Sequence, residues 1–337
     1  MTESRRVAVL GAGAWGTALA TVLAEGDHET WLWSYEEEVA EAIGRDGENP
    51  YLAGVRLPPS LQASADMARV LDGASLVVSV SPSQVVRPVL QAAAPLLADD
   101  ALLVSASKGI ELGTLLRMDE VAAEVLGPAI GDRFAVLSGP SFAKEVAQRQ
   151  PTAVVVASKA ANVRQAVQEA FQTPWFRVYT NPDVVGVELG GAVKNVIALA
   201  AGMTAGLGYA HNSTAALITR GLAEITRLGV AMGAQQATFY GLAGVGDLVL
   251  TGTGGLRRNR TVGYRLGAGE TLDAILGEMT AVAEGIKTAR AVHDLASKHG
   301  VEMPIAEQVY AIVEQGKTPA EALRDLMLRD PKPEEWS

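Results

Sequence analysis

The chain of 337 residues has no cysteine, only four histidines, and fewer basic than acidic side chains, 28 against 38, for a formal charge of −10. Without cysteine there is no disulfide framework, no thiolate nucleophile and no cysteine-ligated zinc or iron–sulfur cluster. His28, His211, His293 and His299 lie far apart or at spacings unsuited to one helix face, so the sequence predicts no metal site. The negative balance opposes a general nucleic-acid or anionic-membrane surface, and any anion site must therefore be local. MTESRR runs straight into a β-branched stretch, without the apolar core and small-residue cleavage site of a signal peptide, which gives the expectation of a cytoplasmic protein. The longest charge-free run, residues 195–219, carries Asn195, Gly206, Gly208, His211, Asn212 and Ser213, so it predicts helices and a loop and no membrane span.

With 48% apolar and 20% charged residues the chain has the profile of a globular protein, and its length suits about two domains. Up to about residue 180, short strand candidates alternate with helical stretches. The strands are VAVL (7–10), TWLW (30–33), LVVSV (76–80), LLVSA (102–106), FAVLS (134–138), AVVVA (153–157) and RVYT (177–180). Alternation of this kind predicts an α/β fold, a Rossmann-type doubly wound sheet with mostly parallel strands. After Asn181-Pro182-Asp183 only helical periodicity remains, as in GLAEITRLGVAMG and IAEQVYAIVEQG, so an all-α C-terminal domain is expected. The expected division is 1–182 for the Rossmann-type domain, 183–330 for the helical domain, and 331–337 for a polar tail.

Four motifs carry chemistry. GAGAWG follows VAVL and opens a helix: Gly11 permits the tight turn, Gly13 lets backbone approach a pyrophosphate, and Gly16 allows close helix–strand contact. About 20 residues on, Ser34, Tyr35 and Glu36 end the second strand where an adenosine ribose would lie, and no arginine there calls for a 2′-phosphate. SASKGIE and SGPSFAKE each follow a strand, which places Lys108 and the turn of Gly139, Pro140 and Ser141 at the carboxyl edge of the sheet, where such folds bind ligands. GLAGVGDLVLTGTGGLRRNR supplies Asp247 after a glycine pair, then Arg257, Arg258, Asn259 and Arg260. That cluster is too small and too poor in aromatics for nucleic acid, and suits one phosphate group.

The stretch GGAVKNVIALAAGM poses a separate question, because a buried helix ought not to hold a lysine. Gly190, Gly191, Ala198 and Ala201 share the face of Lys194, so its ammonium projects over a nearly bare surface where another backbone or a ligand can come close. A lysine that snorkels to water is the plainer alternative.

GAGAWGTALA, SASKGIE, SGPSFAKE, TNPDVVGVELGGAVKNVIALAAGM, TRGLAEITRLG, GLAGVGDLVLT and RRNR, in this order, closely resemble the bacterial NAD(P)-dependent glycerol-3-phosphate dehydrogenase family. The resemblance implies a Rossmann domain followed by a helical domain, and interconversion of sn-glycerol 3-phosphate and dihydroxyacetone phosphate, supplying glycerol 3-phosphate for phospholipid synthesis. It implies Lys194 as proton acceptor, with Lys108, Gly139, Ser141, Asp247, Arg258 and Asn259 around the substrate. For NAD or NADP it implies Ala14, Trp15, Tyr35, Lys108, Ala143, Arg258, Val282 and Glu284. Arg257 stands where the family has serine or threonine, and Tyr35-Glu36 where bacterial members often have a basic pair. The expected chemistry is hydride transfer at C2 while Lys194 moves the hydroxyl proton, oriented by Asn195 and Asp247 and with a pKa lowered by burial and by Lys108. A homodimer is expected. Two alternatives stay open: a β-hydroxyacid or 6-phosphogluconate-type dehydrogenase, and a nonenzymatic nucleotide-sensing module.

Overall fold

The β-branched runs form strands in the computed structural model, which describes residues 4–254, 258–279 and 284–334. They are β1 (Arg6–Leu10), β2 (Glu29–Trp33), β3 (Gln62–Ser64), β4 (Leu76–Ser79), β5 (Leu102–Ser105), β6 (Phe134–Ser138), β7 (Thr152–Ala157) and β8 (Phe176–Asn181). Between them lie α1 (Ala14–Glu25), α2 (Glu37–Asp46), α3 (Met67–Leu71), α4 (Val86–Ala93), α5 (Met118–Leu126), α6 (Ala143–Ala147) and α7 (Ala161–Phe171). The sheet order is β3-β2-β1-β4-β5-β6-β7-β8. The chain direction of strand addition reverses between β1 and β4, which opens the crevice where doubly wound sheets bind dinucleotides.

Sequence periodicity missed β3. Its three residues, Gln-Ala-Ser, have no apolar run, and they join the sheet by backbone pairing to Trp31, Leu32 and Trp33 at an edge. Neighbouring strands are parallel except β6 and β7, which are antiparallel. The reason is the connection: α6 has five residues, about 8 Å of helix, too little to carry the chain back along the sheet. The eleven residues of α7 do carry it back, and β8 is parallel to β7.

One sheet face packs Val7, Val9, Val78, Val104 and Leu137 under α1, α6 and α7. The other packs Ala8, Leu10, Val77, Leu103 and Val136 under α3, α4, α5 and the start of the first C-terminal helix. That helix, α8 (Val184–Gly206), is followed by α9 (His211–Ala231), α10 (Asp247–Thr253), α11 (Arg258–Gly267), α12 (Leu272–Gly277), α13 (Glu284–His299), α14 (Pro304–Gln315) and α15 (Pro319–Met327). Among the described residues after Asn181 there is no strand.

By length and composition α8 could cross a membrane, but 94% of its most apolar window is buried within the fold. It is apolar all round because other helices surround it. Gly202 and Gly206 on α8 and Gly263 and Gly267 on α11 bring the two backbones into contact: a Cβ at any of the four would collide with a carbonyl oxygen of the opposite helix. This crossing fixes α8 from its C-terminal half, and the sheet fixes it from the other end.

Candidate active site

Gly11 leaves β1 with φ +124°, a conformation that side chains rarely adopt, and a Cβ there would press on the backbone of Val80 and Ser81 beyond β4. A Cβ at Gly16 would collide with the Gly11 carbonyl, so α1 can begin this close to the strand only with glycine. Gly13 has open space before it and no side chain caps the helix, which leaves the first N–H groups of α1 facing the crevice. The Trp15 indole Nε1 beside them is buried and without a partner. This cradle fits a dinucleotide pyrophosphate. Asn49 secures it from the loop after α2, donating to the Ala12 carbonyl at 2.9 Å and to Thr17 Oγ1 at 2.8 Å.

Just beyond β2, Tyr35 is 87% exposed and Glu36 is also exposed. Tyr51 donates its hydroxyl to both Glu36 carboxylate oxygens, at 2.9 and 2.8 Å. Ser34 is buried and accepts from the Glu36 amide, so its hydroxyl faces backbone. Glu37 and Glu38 occupy the first turn of α2, where the helix dipole favours them.

The second part of the site lies where β5 and β6 end. Lys108, three residues past β5, donates to the Gly139 carbonyl at 3.2 Å, and Ser141 Oγ donates to the same oxygen at 3.1 Å. Gly139 has φ +131° and abuts Val154, so the turn cannot hold a side chain there. Ala143 opens α6 next to this turn.

The third part is helical. A π-helical turn, Leu242–Gly246, runs into α10 and delivers Asp247 at its first position. Lys194 on α8 is 7% exposed and donates to Asp247 Oδ1 at 2.5 Å and to Thr251 Oγ1 at 3.1 Å. Lys108 donates to the other carboxylate oxygen at 2.6 Å. Thr251 gives its own proton to the Asp247 carbonyl at 2.6 Å, which leaves a lone pair for Lys194. Burial alone would push the Asp247 carboxyl up, but the two ammonium groups hold it below the usual aspartate value. Lys194 therefore does not snorkel. The glycine face seen in sequence is occupied by backbone and by the sheet: Gly190 abuts the Ala243 carbonyl, and Gly191 abuts Ser138 Oγ and the stem of Lys108.

Glu284, first residue of α13, closes the remaining side by accepting from the Ser83 amide at 3.3 Å. Burial pushes its carboxyl up, against that bond and the charges of Arg258, Lys194 and Lys108. All three cations thus act on the Glu284 carboxyl. Arg258 is exposed at the start of α11. The basic cluster is less uniform than its sequence implied, since Asn259 Oδ1 accepts from the Gly285 amide and Arg260 donates to the Gly254 carbonyl. Asn195 is buried next to Lys194 in sequence, and its carbonyl faces Gly285. Arg257 and Val282 lie outside the described residues. Thr251, Asn49 and Tyr51 went unnoticed in the sequence. For Thr251 a signal existed, because it stands one helical turn after Asp247.

A phosphate-ready turn on the sheet side and a buried lysine on the helical side, meeting at the carboxyl edge of the strands, mark an oxidoreductase that works with a nicotinamide dinucleotide. Comparison with known proteins gives the family. The model described as NAD-dependent glycerol-3-phosphate dehydrogenase N-terminus matches residues 6–164, and that of the C-terminus matches residues 183–324. The chain belongs to the NAD-dependent glycerol-3-phosphate dehydrogenase family. A relative from Geobacter sulfurreducens named glycerol-3-phosphate dehydrogenase (NAD(P)+) is 55% identical, covering 99% of this chain and 100% of its own. The crystal structure of glycerol-3-phosphate dehydrogenase from Coxiella burnetii is 40% identical with TM-score 0.91, over 97% of this chain and 99% of that one. The Saccharomyces cerevisiae enzyme is 28% identical with TM-score 0.82, over 97% and 100%.

Proposed function

We propose that the chain interconverts dihydroxyacetone phosphate and sn-glycerol 3-phosphate with NAD or NADP, and that Lys194 is its general acid and base. The observation that carries this reading is the bonding of Lys194 to Asp247 and Thr251 at the sheet edge, beside Lys108. When bound, the nicotinamide exchanges a hydride with C2 of the substrate. The Lys194 ammonium gives its proton to the carbonyl oxygen in reduction, and the free amine takes the hydroxyl proton in oxidation. Asp247 and Thr251 hold Nζ in one place, so the proton moves along a fixed line. Lys108 and Arg258 supply positive charge for the phosphate, with Gly139, Ser141 and Asn259 as polar neighbours of the substrate. Ala14, Trp15, Tyr35, Glu36 and Ala143 line the dinucleotide side, and Glu284 joins that side to the helices through Ser83.

The division proposed for the chain is 1–182, 183–330 and 331–337. A cytoplasmic homodimer feeding phospholipid synthesis completes the proposal, and light scattering of the purified protein tests the dimer. The activity is tested by following reduced nicotinamide absorbance with dihydroxyacetone phosphate and NADH or NADPH. Lys194→Ala should lower kcat at least about a hundredfold while NADH still binds. A variant with near-normal kcat would remove Lys194 from the mechanism.

A further inference from the structure

Away from the cluster at Asp247, three ionisable side chains meet where α5 begins beside α8. Glu188, in the second turn of α8, is 4% exposed, and Arg117, at the boundary of α5, is 10% exposed. The Asp119 amide donates to Glu188 Oε1 at 3.1 Å, and Arg117 Nη2 donates to Asp119 Oδ2 at 3.2 Å. Arg117 Nε stands 3.1 Å from Asp119 Oδ1 and 3.4 Å from Glu188 Oε2, yet off line to both. These three atoms are buried without a hydrogen-bond partner. Glu120 adds a third carboxylate, accepting from the Arg117 amide at 2.9 Å. Three carboxylates thus face one guanidinium, and α8 itself has only one other ionisable side chain, Lys194. Burial pushes the Glu188 carboxyl well up, and Asp119 pushes it the same way against Arg117. Buried polar atoms left unpaired weaken a fold, so stability alone does not account for the cluster.

What lies along α8 does. Glu188 precedes Lys194 by six residues, about 9 Å of helix axis. Between them Gly190 would put a Cβ 2.5 Å from the Ala243 carbonyl, and Gly191 would put one 2.7 Å from Ser138 Oγ. The helix has no slack at this point. Ala243 belongs to the π-helical turn Leu242–Gly246 that leads into Asp247, so a displacement of the first turns of α8 presses on the element that carries the partner of Lys194. We propose that Glu188, held by Arg117 and Asp119, is a positioning residue that sets where α8 presents Lys194 to Asp247. The inference rests on the reading of Lys194 as the acid–base group.

The test compares Glu188→Gln and Glu188→Leu by kcat per NADH-binding site, by KM for NADH and by the pH profile of kcat. The amide of glutamine keeps an acceptor for the Asp119 amide and adds a donor for Asp119 Oδ1, so Glu188→Gln should stay within about twofold of wild type. Glu188→Leu should lose at least about tenfold in kcat with KM for NADH unchanged, since only the acid–base geometry is disturbed. Asp119→Asn, which keeps the backbone bond to Glu188, removes a charge that pushes the Glu188 carboxyl up, so Glu188 should leave its uncharged, glutamine-like form sooner and the alkaline limb of the kcat profile should move to lower pH. Wild-type kcat in Glu188→Leu overturns the proposal, as does an equal loss in both Glu188 variants. If Glu188→Leu fails to fold, an unmoved pH profile in Asp119→Asn does the same. Lys194→Ala, measured alongside, separates the two readings: full activity there defeats the acid–base assignment, whereas an inactive Lys194→Ala with an unaffected Glu188→Leu defeats this inference alone.

Discussion

Gly190 of α8 packs on the Ala243 carbonyl so closely that a methyl group in place of its hydrogen would stand 2.5 Å from that oxygen. Neither partner can yield cheaply, because both are backbone. Gly190→Ala should therefore destabilise the fold by about 1–3 kcal/mol, as overpacking does, and should lower kcat by pushing the turn that delivers Asp247. Gly191→Ala meets a serine hydroxyl instead, at 2.7 Å, and that group can rotate away. Urea unfolding of the two variants should rank Gly190→Ala as clearly the worse. Equal effects would show that the turn adjusts freely.

Arg258 is exposed at the start of α11, while its charge reaches Glu284 together with those of Lys108 and Lys194. If it holds the substrate phosphate, Arg258→Ala should cost about 1.5–3 kcal/mol in kcat/KM for dihydroxyacetone phosphate, the range for a hydrogen bond to a charged group. Unphosphorylated dihydroxyacetone should lose far less. Matching losses for both substrates would assign Arg258 to the dinucleotide or to the fold.

If Glu36 faces the adenosine ribose, cofactor choice turns on it. Its carboxylate, fixed by the Tyr51 hydroxyl at 2.8–2.9 Å, stands at the end of β2, where it can accept from a ribose 2′-hydroxyl and repel a 2′-phosphate. NADH should be used at least as well as NADPH in steady-state kcat/KM at one ionic strength. A tenfold or greater preference for NADPH would contradict this role.

Glu224 on α9 links stability to pH. It is 2% exposed and accepts from the Ile305 and Ala306 amides at 2.7 and 3.1 Å, capping the start of α14. Burial lifts its carboxyl from 4.5 to about 7, against the pull of those two bonds. In the unfolded chain the group ionises near 4.5 while the folded chain keeps its proton, so stability falls as pH rises from there to about 7 and is level above. Glu224→Gln removes the titration. The unfolding free energy of wild type, measured against this variant, should drop by about 3 kcal/mol over that interval. A difference independent of pH would mean that Glu224 ionises in the fold as it does in water.

Much of the site was legible because it is local. The strand, the glycine turn and α1 are contiguous, so the order of residues in GAGAWG already states the geometry at Gly11 and Gly16. The seven longer strands stood out by their β-branched runs, whereas the Gln-Ala-Ser of β3 has nothing to distinguish it from a loop. Lys194 stood out because an ammonium on an apolar helix contradicts its neighbours.

What Lys194 bonds to was not legible. Asp247 lies 53 residues and Thr251 57 residues further along the chain, and no period or spacing connects them to α8. Likewise RRNR reads as one donor cluster, but folding turns Asn259 Oδ1 to Gly285 and Arg260 to Gly254. The glycines beside Lys194 announced a close approach without saying of what, and it is the Ala243 carbonyl that comes. Neighbours within a turn or a strand are enough to specify the seven longer strands, the dinucleotide turn and the identity of the unusual lysine, but not β3. The partners of that lysine, the antiparallel turn of β7 and the meeting of Glu188 with Arg117 come from packing alone. Those depend on where chain segments separated by tens of residues are packed, and hydrophobic burial, which does the packing, has no direction written into any one of them.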